Sequence, residues 1–167
     1  NGDVVPSDEH VYLNSGFLPG KYYQIIYTSK DAPIAGAGLI ALRDATSFLK
    51  YDAEALIPGL GSLDIAIAYG VSQTGRMLRH FMYDGLNVDE QNRKVFEGLL
   101  PHVAGARRGA FNHRYAQPSN QSYPSFGHLA PYTDIESDDP ISNQSAGLLS
   151  KLVELNAVPK VIYTNSS

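Results

Sequence analysis

Apolar residues recur along the chain with two alternating periods. Steps of three and four residues, typical of amphipathic helices, predict helices over residues 36–51, 73–83 and 145–156. Short runs rich in β-branched and aromatic residues lie between them and predict strands over Tyr22–Thr28, Leu63–Tyr69, Val95–Val103 and Val161–Thr164. Strands that alternate with helices are typical of a mostly parallel sheet with helices on its faces. The pattern therefore predicts an α/β fold.

The second of these strands belongs to an almost continuously apolar run, Leu63–Val71. Such a run is typical of a strand that is buried on both faces of a parallel sheet. We also expect the middle strand of the sheet to be its most buried one.

Two segments lack any period. Residues 1–20 contain Pro6, Gly16, Pro19 and Gly20 and are predicted to be a loop. Residues 105–143 are rich in Gly, Pro, Asn, Ser and aromatic side chains. Because irregular segments of this length are uncommon unless they have a function, we predict a long loop or lid insertion here.

Composition narrows the function classes. The chain has 167 residues, of which 43% are hydrophobic and 18% charged, with a net charge of −4. These values predict one globular domain over residues 1–167 and argue against a nucleic-acid-binding protein, which would carry a basic surface. No apolar run approaches the roughly 18 residues of a membrane span. Without cysteine, the chain cannot form disulfides, Cys–zinc sites, iron–sulfur clusters or a cysteine nucleophile. That absence is compatible with export but does not fix the compartment.

The segment Gly70-Val71-Ser72-Gln73-Thr74-Gly75 joins an apolar strand to a helix. This is the context of a nucleophile elbow, in which a sharp turn exposes a serine hydroxyl in a strained backbone conformation. We therefore expect a positive φ at Ser72. The Gln73 N–H at the helix start is placed to stabilise an oxyanion. Thr74 stands where the elbow pattern usually has glycine. The alternative is that Ser72 merely caps the helix.

Longer blocks resemble a known family. Five blocks are similar to a bacterial family of the α/β-hydrolase superfamily. They are YGVSQTGR at the predicted elbow, RHFMYDG (Arg79–Gly85), PHVAGARRGAFNHRYAQPS (Pro101–Ser119), RDATSFLKYD (Arg43–Asp52) and PKVIYTNSS (Pro159–Ser167). The similarity covers about residues 20 to 167. It implies an α/β-hydrolase-like fold and a hydrolase, most readily of carboxylic esters, with Ser72 as nucleophile and no cofactor.

The resemblance also implies an incomplete triad. In this superfamily the acid and the histidine follow the nucleophile in chain order, around and after the last strands. Only Asn165, Ser166 and Ser167 follow the last predicted strand. We therefore expect this chain to be a middle portion of the hydrolase, an incomplete fragment of the fold that a companion segment would complete.

Several polar residues are candidates for substrate binding. Asn112, His113 and Arg114 lie in the predicted loop after the third strand, where they would bind polar substrate groups or anchor the loop. A further hypothesis is that His113 acts as general base for Ser72. His102 is expected to anchor the same loop. A small basic group, Arg107, Arg108 and Arg114, could bind a substrate carboxylate or pair with surface acids. An aromatic wall for the substrate, or packing of the loop against the sheet, could come from Tyr115, Tyr123, Phe126 and Tyr132. The histidines have no metal-ligand spacing, so no metal site is predicted.

Two functions remain open at this point. The first is a serine hydrolase that acts on a small-molecule ester through Ser72. The second is a non-catalytic, hydrolase-like binding module that presents residues 105–143 to a ligand or partner.

Overall fold

The computed structural model describes residues 6–7, 9–21, 23, 25, 28, 30–31, 36–109, 111 and 129–166. The chain divides into two compact units, Asn1–Ala32 and Pro33–Ser167. The described part of the first unit has turns but no helix or strand, as predicted for residues 1–20. Within it, Phe17 and Tyr23 pack edge to face, and the Tyr23 hydroxyl accepts the Leu18 N–H at 2.8 Å.

A three-stranded parallel sheet lies at the centre of the second unit. Its strands are β1 (Ile67–Val71), β2 (Gly98–His102) and β5 (Lys160–Val161), in the order β1-β2-β5. Ala68 pairs with Leu99, which in turn pairs with Val161. The middle strand β2 is the most buried of the three, as expected from the sequence, and the predicted α/β class is confirmed.

Three helices contribute side chains to one hydrophobic cluster. They are α1 (Gly38–Tyr51), α2 (Gln73–Tyr83) and α3 (Ser150–Glu154), and a short 3-10 helix, Ala53–Ala55, follows α1. Helix α2 packs directly on β1 and β2. Leu39, Leu78 and Leu152 come from the three helices in turn and bury their side chains with Leu99 of β2 in one hydrophobic cluster. Ala68 of β1 packs against the same cluster. The small residues of β1 therefore face the helices.

The opposite face of β1 is exposed, so the prediction that this strand is buried on both faces was wrong. Ile67 and Tyr69 are 60% and 64% exposed, and Val71 is also exposed. Side chains alternate between the two faces of a strand, and the helices of the described chain cover only the face that carries Ala68. Apolar composition alone could not show that one face lacks a cover. The strand also begins at Ile67 rather than Leu63.

Other predicted elements need correction. Tyr23, Ile25 and Thr28 have no strand assignment, and the remaining residues of the predicted strand 22–28 lie outside the described residues. An antiparallel hairpin, β3 (Ser137–Asp139) and β4 (Gln144–Ala146), occupies the end of the predicted loop and the start of the predicted helix 145–156. Helix α3 therefore begins only at Ser150.

A buried asparagine ties the connection after α2 to the sheet. Asn87 is fully buried, and its amide nitrogen donates to the carbonyls of Phe96 and Ala157 at 2.9 and 2.8 Å. Its amide oxygen accepts the Phe96 N–H at 2.8 Å. Because all these partners lie in the core, the amide fixes the entries to β2 and β5 in one arrangement.

A buried carboxylate organises the turn that precedes β2. The Asp89 side chain accepts hydrogen bonds from the Ser47 hydroxyl and the Arg93 guanidinium, and from the backbone N–H groups of Gln91 and Arg93. Although burial alone would raise it, these donors lower the pKa of Asp89 to about 2. The charged carboxylate thus links α1 to this turn.

Candidate active site

Ser72 forms the one-residue junction between β1 and α2. Its backbone has φ 52° and ψ −110°, which confirms the predicted positive φ. This combination lies outside the conformations that non-glycine residues commonly adopt. The residue is exposed, and its side chain makes no capping hydrogen bond to the helix. The capping alternative therefore lacks the hydrogen bond that defines it.

Two glycines make room for the turn. A Cβ atom at Gly70 would lie 2.6 Å from the Thr74 carbonyl oxygen, closer than carbon and oxygen can approach. A Cβ atom at Gly75 would lie 3.0 Å from both the Ala104 side chain and the Gly70 carbonyl oxygen. Gly70 thus lets the strand and helix backbones meet, and Gly75 lets the segment after β2 pack against the first turn of α2.

Thr74 takes a part in the turn that glycine could not. Its hydroxyl accepts the Val71 N–H at 2.8 Å and donates to the Val71 carbonyl at 2.8 Å. Both polar groups of the last β1 residue are therefore satisfied by one side chain. The departure from the usual glycine gives the turn two additional hydrogen bonds.

The two N–H groups at the junction have different partners. The Ser72 N–H donates to the His102 carbonyl at 2.8 Å and so fixes the turn to the end of β2. The Gln73 N–H has no acceptor among the described residues. It stands at the start of the eleven-residue helix α2, where the helix dipole favours negative charge. An exposed hydroxyl and an open N–H donor thus occupy adjacent positions.

This strand–turn–helix lies within a region that matches a family model. The model, described as "Alpha/beta hydrolase domain", matches residues 15–152. The chain belongs to the alpha/beta hydrolase domain family. The search of curated proteins gives no match, and neither does the search of solved structures.

Membership in the alpha/beta hydrolase domain family supports the predicted hydrolase-like function and the partial α/β-hydrolase fold. Among the described residues, no helix is both long and apolar enough to cross a membrane. The described side chains also include no group of three or more His, Asp or Glu suited to a metal ion.

The predicted loop candidates of this hydrolase domain are placed only in part. Asn112, His113 and Arg114 lie outside the described residues. The His102 ring lies beside the Thr164 hydroxyl, with Nδ1 2.8 Å from its oxygen, so it ties the end of β2 to the segment after β5. Arg108 donates to the Ala130 carbonyl at 2.6 Å and stacks on the Tyr83 ring, a structural arrangement.

A cavity of about 410 Å³ opens where β2 and β5 end. Most of its wall comes from Pro101 of β2, the segment Ala104–Ala106 and residues 132–135. The side next to β5 is lined by Tyr163 and Asn165. Ala104 also contacts the first turn of α2 at Gly75. Ala104 therefore connects the wall of the cavity to the first turn of α2, whereas Ser72 and Gln73 do not line the cavity.

Three polar side chains of this cavity were not singled out together by the sequence. Arg79 is only 3% exposed, and its Nη2 donates to the carbonyls of Ala106 and Tyr132 at 2.6 and 3.1 Å. The Tyr163 hydroxyl donates to the Asp134 carboxylate at 2.7 Å. Partial burial and this hydrogen bond raise the pKa of Tyr163 above its usual value.

Proposed function

We propose that this protein hydrolyses carboxylic esters through Ser72. The observation that carries the proposal is the strained, exposed serine at the junction of β1 and α2, whose hydroxyl caps no helix. Such strain is costly for a residue with only a structural role, and it is typical of functional sites. The family match supports hydrolysis in general, and the ester is our inference.

In the proposed reaction, the Ser72 hydroxyl attacks the ester carbonyl while a general base takes its proton. The carbonyl oxygen becomes an oxyanion, which the open Gln73 N–H stabilises by a hydrogen bond. The base gives this proton to the departing alkoxide, so the intermediate collapses to the alcohol and an acyl-serine. Water then attacks the acyl group while the base takes a proton from it, and the base returns that proton to the Ser72 oxygen as the carboxylic acid is released.

The base and its supporting acid are proposed to lie outside the described residues. His113, with Asn112 and Arg114, is assigned to substrate binding or loop anchoring rather than to proton transfer, because the superfamily order calls for a later histidine. A companion segment of the hydrolase would then supply the two missing members of the triad.

A fluorophosphonate probe tests the nucleophile directly, because it phosphonylates only an activated serine. We expect labelling of the complete hydrolase, with its companion segment present, and complete loss of labelling in Ser72→Ala. The matched control is Ser62→Ala, which changes another exposed serine in the loop before β1 and should label normally. Hydrolysis of 4-nitrophenyl butyrate should follow the same order. If the complete hydrolase, companion segment included, neither labels nor turns over, the result supports the alternative, a hydrolase-like binding module.

A further inference from the structure

The cavity at the ends of β2 and β5 contains a buried cation that forms no ion pair with any carboxylate of the described chain. Arg79 lines this cavity and is 3% exposed. No carboxylate of the described residues lies within 4.0 Å of its guanidinium, although Asp134 lines the same cavity. Its buried Nε–H has no hydrogen-bond acceptor in this part of the chain.

Such an arrangement is unfavourable unless something compensates it. Burying a charge removes its hydration, and a buried donor without an acceptor adds a further cost. The carbonyls of Ala106 and Tyr132 and the ring of Tyr163, 5.2 Å from the guanidinium carbon, offset part of this cost. They carry partial charges only, and the Asp134 carboxylate of the same cavity is bonded to the Tyr163 hydroxyl rather than paired with the guanidinium. Part of the positive charge of Arg79 therefore remains available to a ligand.

The position of Arg79 suits a substrate held at Ser72. Seven residues separate the two along α2, which corresponds to about 10 Å of helix axis at 1.5 Å per residue. Helical side chains lean toward the helix N-terminus, so the Arg79 side chain extends back toward the elbow. The segment that it binds at Ala106 follows directly on β2, whose His102 carbonyl accepts the Ser72 N–H.

We infer that this cavity binds the carboxylate of an anionic ester substrate, with Arg79 as its counter-ion. The inference rests on the proposed ester hydrolysis and specifies its substrate class. The alanine and proline side chains of the wall contact the carbon chain between the carboxylate and the ester. The carboxylate of Asp134 accepts the Tyr163 hydroxyl and repels a second negative charge, so it limits the affinity of the cavity for anions.

The carboxylate can belong to the acyl or the alcohol part of the ester, and two substrates distinguish these sources. Mono-4-nitrophenyl glutarate carries it on the acyl side, and 4-(butyryloxy)benzoate carries it on the alcohol side. The uncharged 4-nitrophenyl butyrate serves as reference. The measured quantity is the ratio of kcat/KM for each anionic ester to that for the uncharged one.

In Arg79→Gln we expect this ratio to fall by about tenfold or more for one of the two anionic esters, because a charge-assisted hydrogen bond is lost. Asp134→Asn should raise the same ratio by about threefold, because it removes a nearby like charge. The control is Arg43→Gln, which removes an equally charged, partly buried guanidinium that pairs with Asp44 on α1. Its ratio should equal that of the native protein. An unchanged ratio in Arg79→Gln, or an equal fall in Arg43→Gln, overturns the inference.

A binding measurement separates this inference from the proposed catalysis. Calorimetry with Ser72→Ala protein should detect glutarate but not its uncharged diamide, glutaramide, and the further change Arg79→Gln should abolish binding. If Arg79→Gln does not fold, Arg79→Lys and Asp134→Asn answer the same question through weaker and tighter binding. Arg79-dependent glutarate binding without any ester turnover would remove the proposed function and keep the anion site. Turnover without anionic preference or glutarate binding would remove the anion site alone.

Discussion

Replacing Ser72 by glycine should make the protein more stable and inactive at the same time. The native residue has φ 52° and ψ −110°, a conformation that costs a non-glycine residue about 1–3 kcal/mol. Glycine adopts it without steric cost but increases the entropy of the unfolded chain, which lowers stability by about 0.4–1 kcal/mol. Because the Ser72 hydroxyl accepts no capping hydrogen bond, the substitution removes no helix cap. The net expectation is a gain of about 0.5–2 kcal/mol in the free energy of unfolding.

Urea unfolding followed by circular dichroism measures this difference, since the chain has no tryptophan for fluorescence. The matched control is Ser62→Gly, an exposed serine whose φ is not positive. This control should lose about 0.5–1 kcal/mol from the unfolded-state term alone. If Ser72→Gly loses as much stability as Ser62→Gly, the strain argument is refuted, whatever happens to activity. Fluorophosphonate labelling of the same Ser72→Gly sample should be absent.

Three further changes test the surroundings of the elbow. Thr74→Val should slow fluorophosphonate labelling and lower the free energy of unfolding in urea by about 1 kcal/mol, because Val71 loses two hydrogen bonds. Thr74→Ser keeps the hydroxyl and should behave like the native protein. Equal labelling rates in both variants would contradict the role of the Thr74 hydroxyl in the turn. Asn87→Ala should cost about 2–4 kcal/mol because buried backbone groups lose their partners, and a melting temperature within a degree or two of the native value would count against it. The pKa of Asp89 is about 2 in the folded protein, below its ordinary value, so its stabilisation is present above about pH 4 and is lost as pH falls toward 2. Asp89→Asn should remove about 2 kcal/mol of the acid-induced fall in the free energy of unfolding. An unchanged pH profile of stability in that variant would exclude Asp89 as the cause.

The turn at Ser72 could be predicted from sequence because its determinants are local. The break between an apolar run and an amphipathic helix fixes α2 at Gln73–Tyr83, as predicted, and small residues around Ser72 indicate the turn. The role of Thr74 could not be predicted, because the pattern records only that glycine is missing. Its two hydrogen bonds to Val71 become visible only when the turn geometry is known.

The remaining features depend on contacts between distant segments. Arg79 has the sequence context of a solvent-facing residue on an amphipathic helix. In the structure its side chain is buried and donates to the carbonyls of Ala106 and Tyr132, which belong to two later segments. The hairpin of β3 and β4 consists of polar residues such as Asp138 and Gln144, whose pattern carries no strand signal. Likewise, an apolar run predicts β1 but cannot tell whether both of its faces are covered.

The two hydrogen bonds of Thr74 also affect how far along β1 an additional strand could pair. The Ser72 N–H points to β2, so the backbone groups of Val71 point to the outer edge of β1, where the Thr74 hydroxyl occupies both of them. The corresponding groups of Ile67 and Tyr69 face the same outer edge, and β1 is the outermost strand of the described sheet. An unpaired edge of this kind is a template for another strand. A strand added there would find the N–H and carbonyl of Val71 already bonded to Thr74, so its regular pairing would involve Ile67 and Tyr69.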